Sequence, residues 1–353
     1  MPSEPPSDVE QALNLQAHLL AERVQHSGMY LHEPREFDVA RRIYPVIARR
    51  LGVIEDLGTL TTPESRNIVR KVRLSDGSFG VLKVKGNARE LGEGEVLESW
   101  HTRGLPCVEP LSWGYQQAEA SGSKTTTTYL LTRYLEYPSL STPTDLESKR
   151  QPVRNLVRFM RQFHLSGAGT SASRTWEQAM SLHLYWTLPH LRSHGFPEPA
   201  DWSKKLHRLS EDGQVLLHGD PAGRNVLVQP SGNLCLLDPA GARRGMREAD
   251  VGQICSQVGG IDHVEEAIQE AWNEDPTLHP GAISCFAGIN FLNASGYLLA
   301  DHFNPDTESA RQSSKSQEAV EPVALEWLSV ASRLIGAYQL EDPEPPSLAW
   351  ATA

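Results

Sequence analysis

The chain has 353 residues, 39% hydrophobic and 22% charged, with a formal net charge of −11. That profile excludes a disordered chain and leaves room for two lobes, each with its own core. The acidic balance argues against nucleic acid as a partner, which needs a basic face, and no apolar run approaches the roughly 20 residues of a membrane span.

No basic start followed by an apolar block opens the sequence, so no secretory leader is expected. Cys107, Cys235, Cys255 and Cys285 form no C-x-x-C pair and read as free thiols in a reducing compartment, so a cytoplasmic location is expected.

In chain order, "SDVEQALNLQAHLLAERV" offers Ser7 or Asp8 as an N-cap and apolar residues at Val9, Leu13, Leu19, Leu20 and Val24, an amphipathic helix. A second helical pattern, "EFDVARRIYPVIARRLG", carries Pro45, which is expected to kink or split it. Together they make residues 1–55 an N-terminal helical extension. From Asp56 the period shortens to two. "LGTLTT", "RNIVRKVRL" and "FGVLKVKG" read as strands, the last two joined by a hairpin turn at Asp76-Gly77. "ARELGEGEVLESWHTRG" is a helix weakened at Gly92 and Gly94 and closed near Gly104. "VEPLSWGYQ" and "TYLLTRYL" complete a five-stranded antiparallel sheet. Residues 56–137 are thus sheet-rich. Beyond "EYPSLSTPTD" the pattern turns helical, with Val153, Leu156, Val157, Met160 and Phe163 on one stripe, and residues 138–353 form a helix-rich lobe. "NPDTESARQSSKSQEAVEP" reads as a polar loop within it. The fold class is α+β and bilobal, with a cleft between the lobes as the natural ligand site.

The chemistry concentrates in "VLLHGDPAGRNVLVQPSGNLCLLDPAG". Asp220 and Asn225 bracket a Gly/Pro loop, and Asp238 ends the strand that follows the next turn. Carboxylates at the ends of short apolar strands need a positive partner. The Asp-x-x-x-x-Asn spacing and the later Asp match the phosphoryl-transfer template, in which one Asp holds the acceptor hydroxyl while the Asn and the second Asp offer hard oxygens to Mg²⁺.

On these residues the chain resembles the aminoglycoside phosphotransferase family, which shares its fold with choline kinases and is related to protein kinases. The resemblance runs from about Leu57 to the helices after Asp250 and is strongest in "LLHGDPAGRNVLV", "LCLLDPAG" and "ADVGQI". It implies a bilobal protein-kinase-like fold, with residues 56–137 as the nucleotide-binding N-lobe and 138–353 as the catalytic and acceptor-binding C-lobe. It also implies Asp220 as the catalytic residue, Asn225 and Asp238 as metal ligands, and Asp250 as a buttress for the catalytic loop. Lys83 resembles the strand lysine that holds the nucleotide phosphates, with Glu93 as its helix partner and Glu95 as the runner-up. Backbone groups from Arg133 to Leu135 fall where the nucleobase hinge lies. Ser65 and Asn67 are candidate phosphate contacts, since "TTPESRNIV" lacks G-x-G-x-x-G. Pro221 departs from the family's usual apolar residue after H-G-D.

The function implied is transfer of the γ-phosphoryl group of ATP, or GTP, with Mg²⁺, to a hydroxyl of an aminoglycoside-like antibiotic, a sugar or an amino alcohol. The alternatives are a protein kinase and a non-catalytic binding module. Taken singly each residue has a plain reading: His218 packs and hydrogen-bonds within its loop, Asp250 is an N-cap, and Trp176, Tyr185 and Trp186 are core. His183, His190 and His194 lack a completing ligand for a metal site.

Overall fold

The structure, a computed structural model, describes residues 34–60, 67–86, 93–120, 123–140, 146–166, 180, 184, 187–189, 191–211, 215–221, 223–303 and 317–338. The predicted first helix, Ser65, Gly92, Trp176, His183, Tyr185, Trp186 and His190 lie outside the described residues.

The first described element is α1 (Pro34–Arg50), which continues through Pro45 without a break. Its buried residues Ala40, Ile47 and Ala48 join Val72, Leu74, Leu82, Val84 and Leu131 of the sheet in one small core. That packing holds the helix together despite the hydrogen bond proline removes. The segment assigned to an extension therefore contributes the helix that covers one face of the sheet.

The sheet comprises β1 (Val53–Thr59), β2 (Ile68–Leu74), β3 (Phe79–Lys85), β4 (Pro110–Ala120) and β5 (Ser123–Arg133), in the antiparallel order β1-β2-β3-β5-β4. It starts at Val53, before the Asp56 boundary read from the sequence. The β2–β3 turn is set by Gly77 at φ 85° and by Asp76, whose Oδ1 accepts the Ser78 N–H and O–H. Side chains alternate along β3, so Leu82 and Val84 enter the small core while Lys83 and Lys85 point to the other face. That face is covered by α2 (Glu93–Thr102), which sends Leu97 and Trp100 into the main core. Gly94 lets the helix approach, because a Cβ there would lie 2.3 Å from Trp113.

The helical part begins with α3 (Leu146–Ser166), whose Val153, Leu156, Val157, Met160 and Phe163 are all buried. It continues with α4 (Trp202–Glu211), α5 (Arg247–Ile254), α6 (Gly260–Glu274), α7 (Pro280–Phe303) and α8 (Gln317–Gly336). α8 takes in the last residues of the predicted polar loop, including Pro322. Pro322 is the sixth residue of that helix, past the first four N–H groups that have no intrahelical partner, so it removes one hydrogen bond, the one to the Glu318 carbonyl. Between α5 and α6, residues Cys255–Gly259 form a π-turn, followed by Gly260 at φ 66° and a non-helical His263. No helix among the described residues is long and apolar enough to cross a membrane.

Short strands carry the polar residues of the motif. β6 (Val215–Leu217) pairs with β9 (Arg243–Gly245), and β7 (Val226–Val228) pairs with β8 (Leu234–Leu236). The β7–β8 hairpin is stitched at both edges. Leu236 exchanges backbone bonds with Pro106 and Val108 before β4, while Val226 and Val228 bond Leu140 and Pro138 after β5.

Candidate active site

Strand β6 runs directly into the loop His218-Gly219-Asp220. Asp250, buried in α5, accepts the His218 N–H on Oδ2 and the Gly219 N–H on Oδ1, both at 2.9 Å. The same Oδ2 lies 2.9 Å from His164 Nε2 at the end of α3. Burial pushes the Asp250 pKa up, but the His164 hydrogen bond and charge, His218 and the Gly219 amide outweigh it, so the carboxyl titrates below its ordinary range. Asp250 is not the cap of α5; Met246 occupies that position.

His218 is fully buried and spends both ring nitrogens. Nε2 donates to the Leu237 carbonyl at 2.8 Å, which can only accept, so Nδ1 accepts the Asp220 N–H at 3.2 Å. It is a strut between Asp220 and the residue before Asp238. Gly219 has φ 80°, and a Cβ there would lie 1.9 Å from the Gly241 carbonyl oxygen. Arg243 locks this close approach by donating to the carbonyls of Gly219 at 3.0 Å and Gly241 at 2.8 Å.

Asp220 is ringed by donors. Its Oδ2 accepts from Arg224 Nη2 at 3.0 Å and Asn225 Nδ2 at 2.9 Å; its Oδ1 accepts from Gln253 Nε2 at 2.9 Å and Gln257 Nε2 at 3.3 Å. Asn225 Nδ2 also donates to the Asp220 carbonyl, which leaves the amide oxygen as the side chain's available ligand. The hairpin then sets the third group: Val226 pairs with Leu236 and Leu237 N–H donates to Asn225 O, so Asn225 and Asp238 lie at the same end of β7–β8. Asp238 takes φ 50°, a left-handed conformation uncommon outside glycine.

Lys83 closes the arrangement from the sheet. Its Nζ lies 3.0 Å from Asp238 Oδ1 and 2.8 Å from Glu93 Oε2, joining strand β3, helix α2 and the end of β8. Burial would lower the lysine's pKa, but the charges of Glu93 and Asp238 override it and hold the ammonium above its usual range. Lys85 pairs with the same Glu93. Glu95 turns elsewhere and accepts from Tyr115 O–H at 3.1 Å.

Of the remaining sequence candidates, Asn67 stands at the bend before β2. The Arg133 and Tyr134 N–H groups are committed to Glu109 O and Phe79 O, so Arg133 offers no amide to a base; its side chain pairs with Glu109. His164, Arg224, Arg243, Gln253 and Gln257 were missed. Asp250, Gln253 and Gln257 follow an i, i+3, i+7 spacing that marks one helix face, a signal available in the sequence.

The Asp238 carboxylate and the Asn225 amide oxygen are hard donors, and Lys83 already supplies a positive charge against Asp238. Two such oxygens fit Mg²⁺, which keeps water and phosphate oxygens for its other positions.

A profile of the phosphotransferase enzyme family matches residues 59–281. No curated protein matches the sequence. Among solved structures, the chain is similar to an amicoumacin kinase in complex with AMP-PNP, Ca²⁺ and Ami, at 13% identity, TM-score 0.57, and coverage of 87% of this chain and 96% of that one. It is also similar to a microcompartment-associated aminopropanol kinase, at 13% identity, TM-score 0.54, and coverage of 84% and 97%. A thermostable mutant of an aminoglycoside phosphotransferase, bound to AMP-PNP and hygromycin B, matches at 14% identity, TM-score 0.53, and coverage of 83% and 97%. At these identities the likeness is one of fold.

Proposed function

The chain belongs to the phosphotransferase enzyme family, and we propose that it transfers the γ-phosphoryl group of ATP, or GTP, to a hydroxyl of an aminoglycoside-like antibiotic, a sugar or an amino alcohol. The observation that carries this reading is the double pairing of Lys83, whose Nζ meets both Glu93 and Asp238. A lysine gripped between two carboxylates has a defined direction, and a triphosphate offers it further oxygens of the same charge.

Each residue then has a task. Asp220 orients the acceptor hydroxyl and takes its proton. Asn225 and Asp238 hold Mg²⁺, which when bound neutralises charge on the triphosphate. Lys83, kept in line by Glu93, reaches the phosphates, with Ser65 and Asn67 as further contacts. With the Arg133 amide engaged, a nucleobase contact falls to Leu135. His218, Asp250 and Arg243 touch no substrate; they fix the loop on which Asp220 stands.

A polypeptide acceptor is disfavoured by the segment between Asp238 and Asp250. A short turn at Pro239–Gly241, strand β9 and the start of α5 fill it, with no length left for a peptide-docking loop. A non-catalytic module would have no need to keep all of these groups.

Calorimetric titration with ATP or GTP in the presence of Mg²⁺ tests the reading. Binding is expected, and Lys83→Ala should weaken it severalfold or more. Absence of nucleotide binding by the unmodified chain would overturn it.

A further inference from the structure

Four donors surround the Asp220 carboxylate, and they differ in how firmly they stand. Arg224 is 73% exposed, so solvent screens its pull. Gln257 is exposed, and its bond, at 3.3 Å, lies past the usual range. Asn225 divides its NH₂ between Oδ2 and the Asp220 carbonyl. Gln253 meets Oδ1 at 2.9 Å from a half-buried position.

The helix that bears Gln253 is pinned on every side. Gly252 lies flush against α7, where a Cβ would stand 2.7 Å from Phe286 Cβ and 2.9 Å from the Ile283 carbonyl oxygen. Asp250, one turn earlier, grips the His218 and Gly219 amides. At the π-turn, the Ser256 hydroxyl donates to the Gln253 carbonyl at 2.9 Å. One helix face therefore holds the backbone of the catalytic loop through Asp250 and its side chain through Gln253. A group on so fixed a support sets a direction better than one on a loop. An ionised carboxylate only accepts, so the amide must present its NH₂ to Asp220.

We infer that Gln253 is a positioning residue for phosphoryl transfer: with Asn225 on Oδ2, it fixes the plane of the Asp220 carboxylate so that Oδ1 keeps a lone pair aimed at the acceptor hydroxyl. This rests on the kinase reading above and deepens it. Gln253 uses one of the two lone pairs on Oδ1, and the hydroxyl takes the other as the loosely held Gln257 gives way. The hydroxyl oxygen then bonds the γ-phosphorus while its proton passes to Oδ1. The nucleoside diphosphate leaves with the electron pair of the broken P–O bond.

The test is coupled measurement of nucleotide consumption by the full chain with Mg²⁺, with kanamycin, glucose or ethanolamine as acceptor and with water alone. Gln253→Met keeps the length of the side chain and loses its donor. It should lower kcat by about 10- to 10²-fold for the fastest acceptor, with nucleotide KM unchanged within about twofold. Gln253→Glu keeps the shape and sets a second carboxylate against Asp220. Arg224 on Oδ2 and His218 on the backbone N–H are the other charged or titratable groups bonded to Asp220 among the described residues. The kcat of Gln253→Glu relative to the parent should be lowest near about pH 8 and recover toward about pH 5, because a proton shared by two carboxylates restores a donor. The same ratio for Gln253→Met should stay flat. Where Gln253→Met fails to fold by circular dichroism, Gln253→Glu decides alone. Parental kcat in Gln253→Met, or a fall matched by a rise in nucleotide KM, overturns the inference. So does a Gln253→Glu ratio that ignores pH. Nucleotide binding without consumption, even by water, overturns it as well, since an aligned Asp220 activates water too. Absence of nucleotide binding by the parent would strike the underlying kinase reading instead.

Discussion

Replacement of Gly219 by alanine puts the loop geometry to a quantitative test. Gly219 has φ 80°, and its Cβ would stand 1.9 Å from the Gly241 carbonyl oxygen and 2.7 Å from Arg243 Nε. A carbon–oxygen contact needs about 3.3 Å, so one strand of the loop must retreat by roughly 1.4 Å. Gly232, in the β7–β8 turn, has nearly the same φ, 82°, but nothing lies within 4 Å of its Cβ. It therefore isolates the backbone cost, about 1–2 kcal/mol for a left-handed alanine. Gly219→Ala adds overpacking of about 1–3 kcal/mol and strains the amide bond to the charged Asp250. Totals of about 3–5 kcal/mol against 1–2 kcal/mol translate into Tm drops of roughly 6–20 °C and 2–8 °C at about 2–4 °C per kcal/mol. Thermal unfolding followed by circular dichroism compares the two variants with the parent. A coupled assay should show Gly219→Ala losing turnover by about 10²-fold, since Asp220 moves with the loop. Equal Tm drops in the two variants, with turnover kept in both, would refute the reasoning.

Further outcomes follow from the same contacts. Asp220→Ala should retain nucleotide affinity by calorimetry while turnover falls by several orders of magnitude, because it removes a group needed for transfer alone. Asp250 has a depressed folded pKa, so its contribution to stability is present above the unfolded value near ~3.9 and is lost as pH falls through the folded one. Asp250→Asn is accordingly less stable than the parent at pH 7, and the Tm difference should shrink as unfolding is repeated toward about pH 3. His218→Phe keeps the packing against Trp100 but loses both ring hydrogen bonds, one to Leu237 O and one from Asp220 N–H. It should cost about 1–3 kcal/mol in denaturant unfolding and lower kcat more than nucleotide affinity.

Much of this architecture is written locally in the chain. The β2–β3 hairpin follows from two-residue alternation and an Asp-Gly turn, and the α3 stripe from Val153 to Phe163 is buried as its spacing requires. Asp220, Asn225 and Asp238 were legible because a loop and a hairpin bring them together over a short stretch. What escaped reading depends on distant partners. His164 reaches Asp250 across 86 residues, and Arg243 closes on Gly219 only because β9 pairs with β6. Helix α1 passes Pro45 because its face is fastened to the sheet, a tertiary effect that propensity alone does not encode.

The hairpin that bears Asn225 and Asp238 borrows one border from residues 106–108 and the other from residues 138–140. The Pro/Ser-rich connector is therefore no seam along which the protein divides. Expressed apart, the portion up to the connector would lack the ribbon that fits into it, and the remainder would carry that ribbon with raw, unpaired borders ready to recruit other chains. A two-piece version that reassembles is better cut at the Ser231–Gly232 tip, which faces solvent and bears none of the stitching.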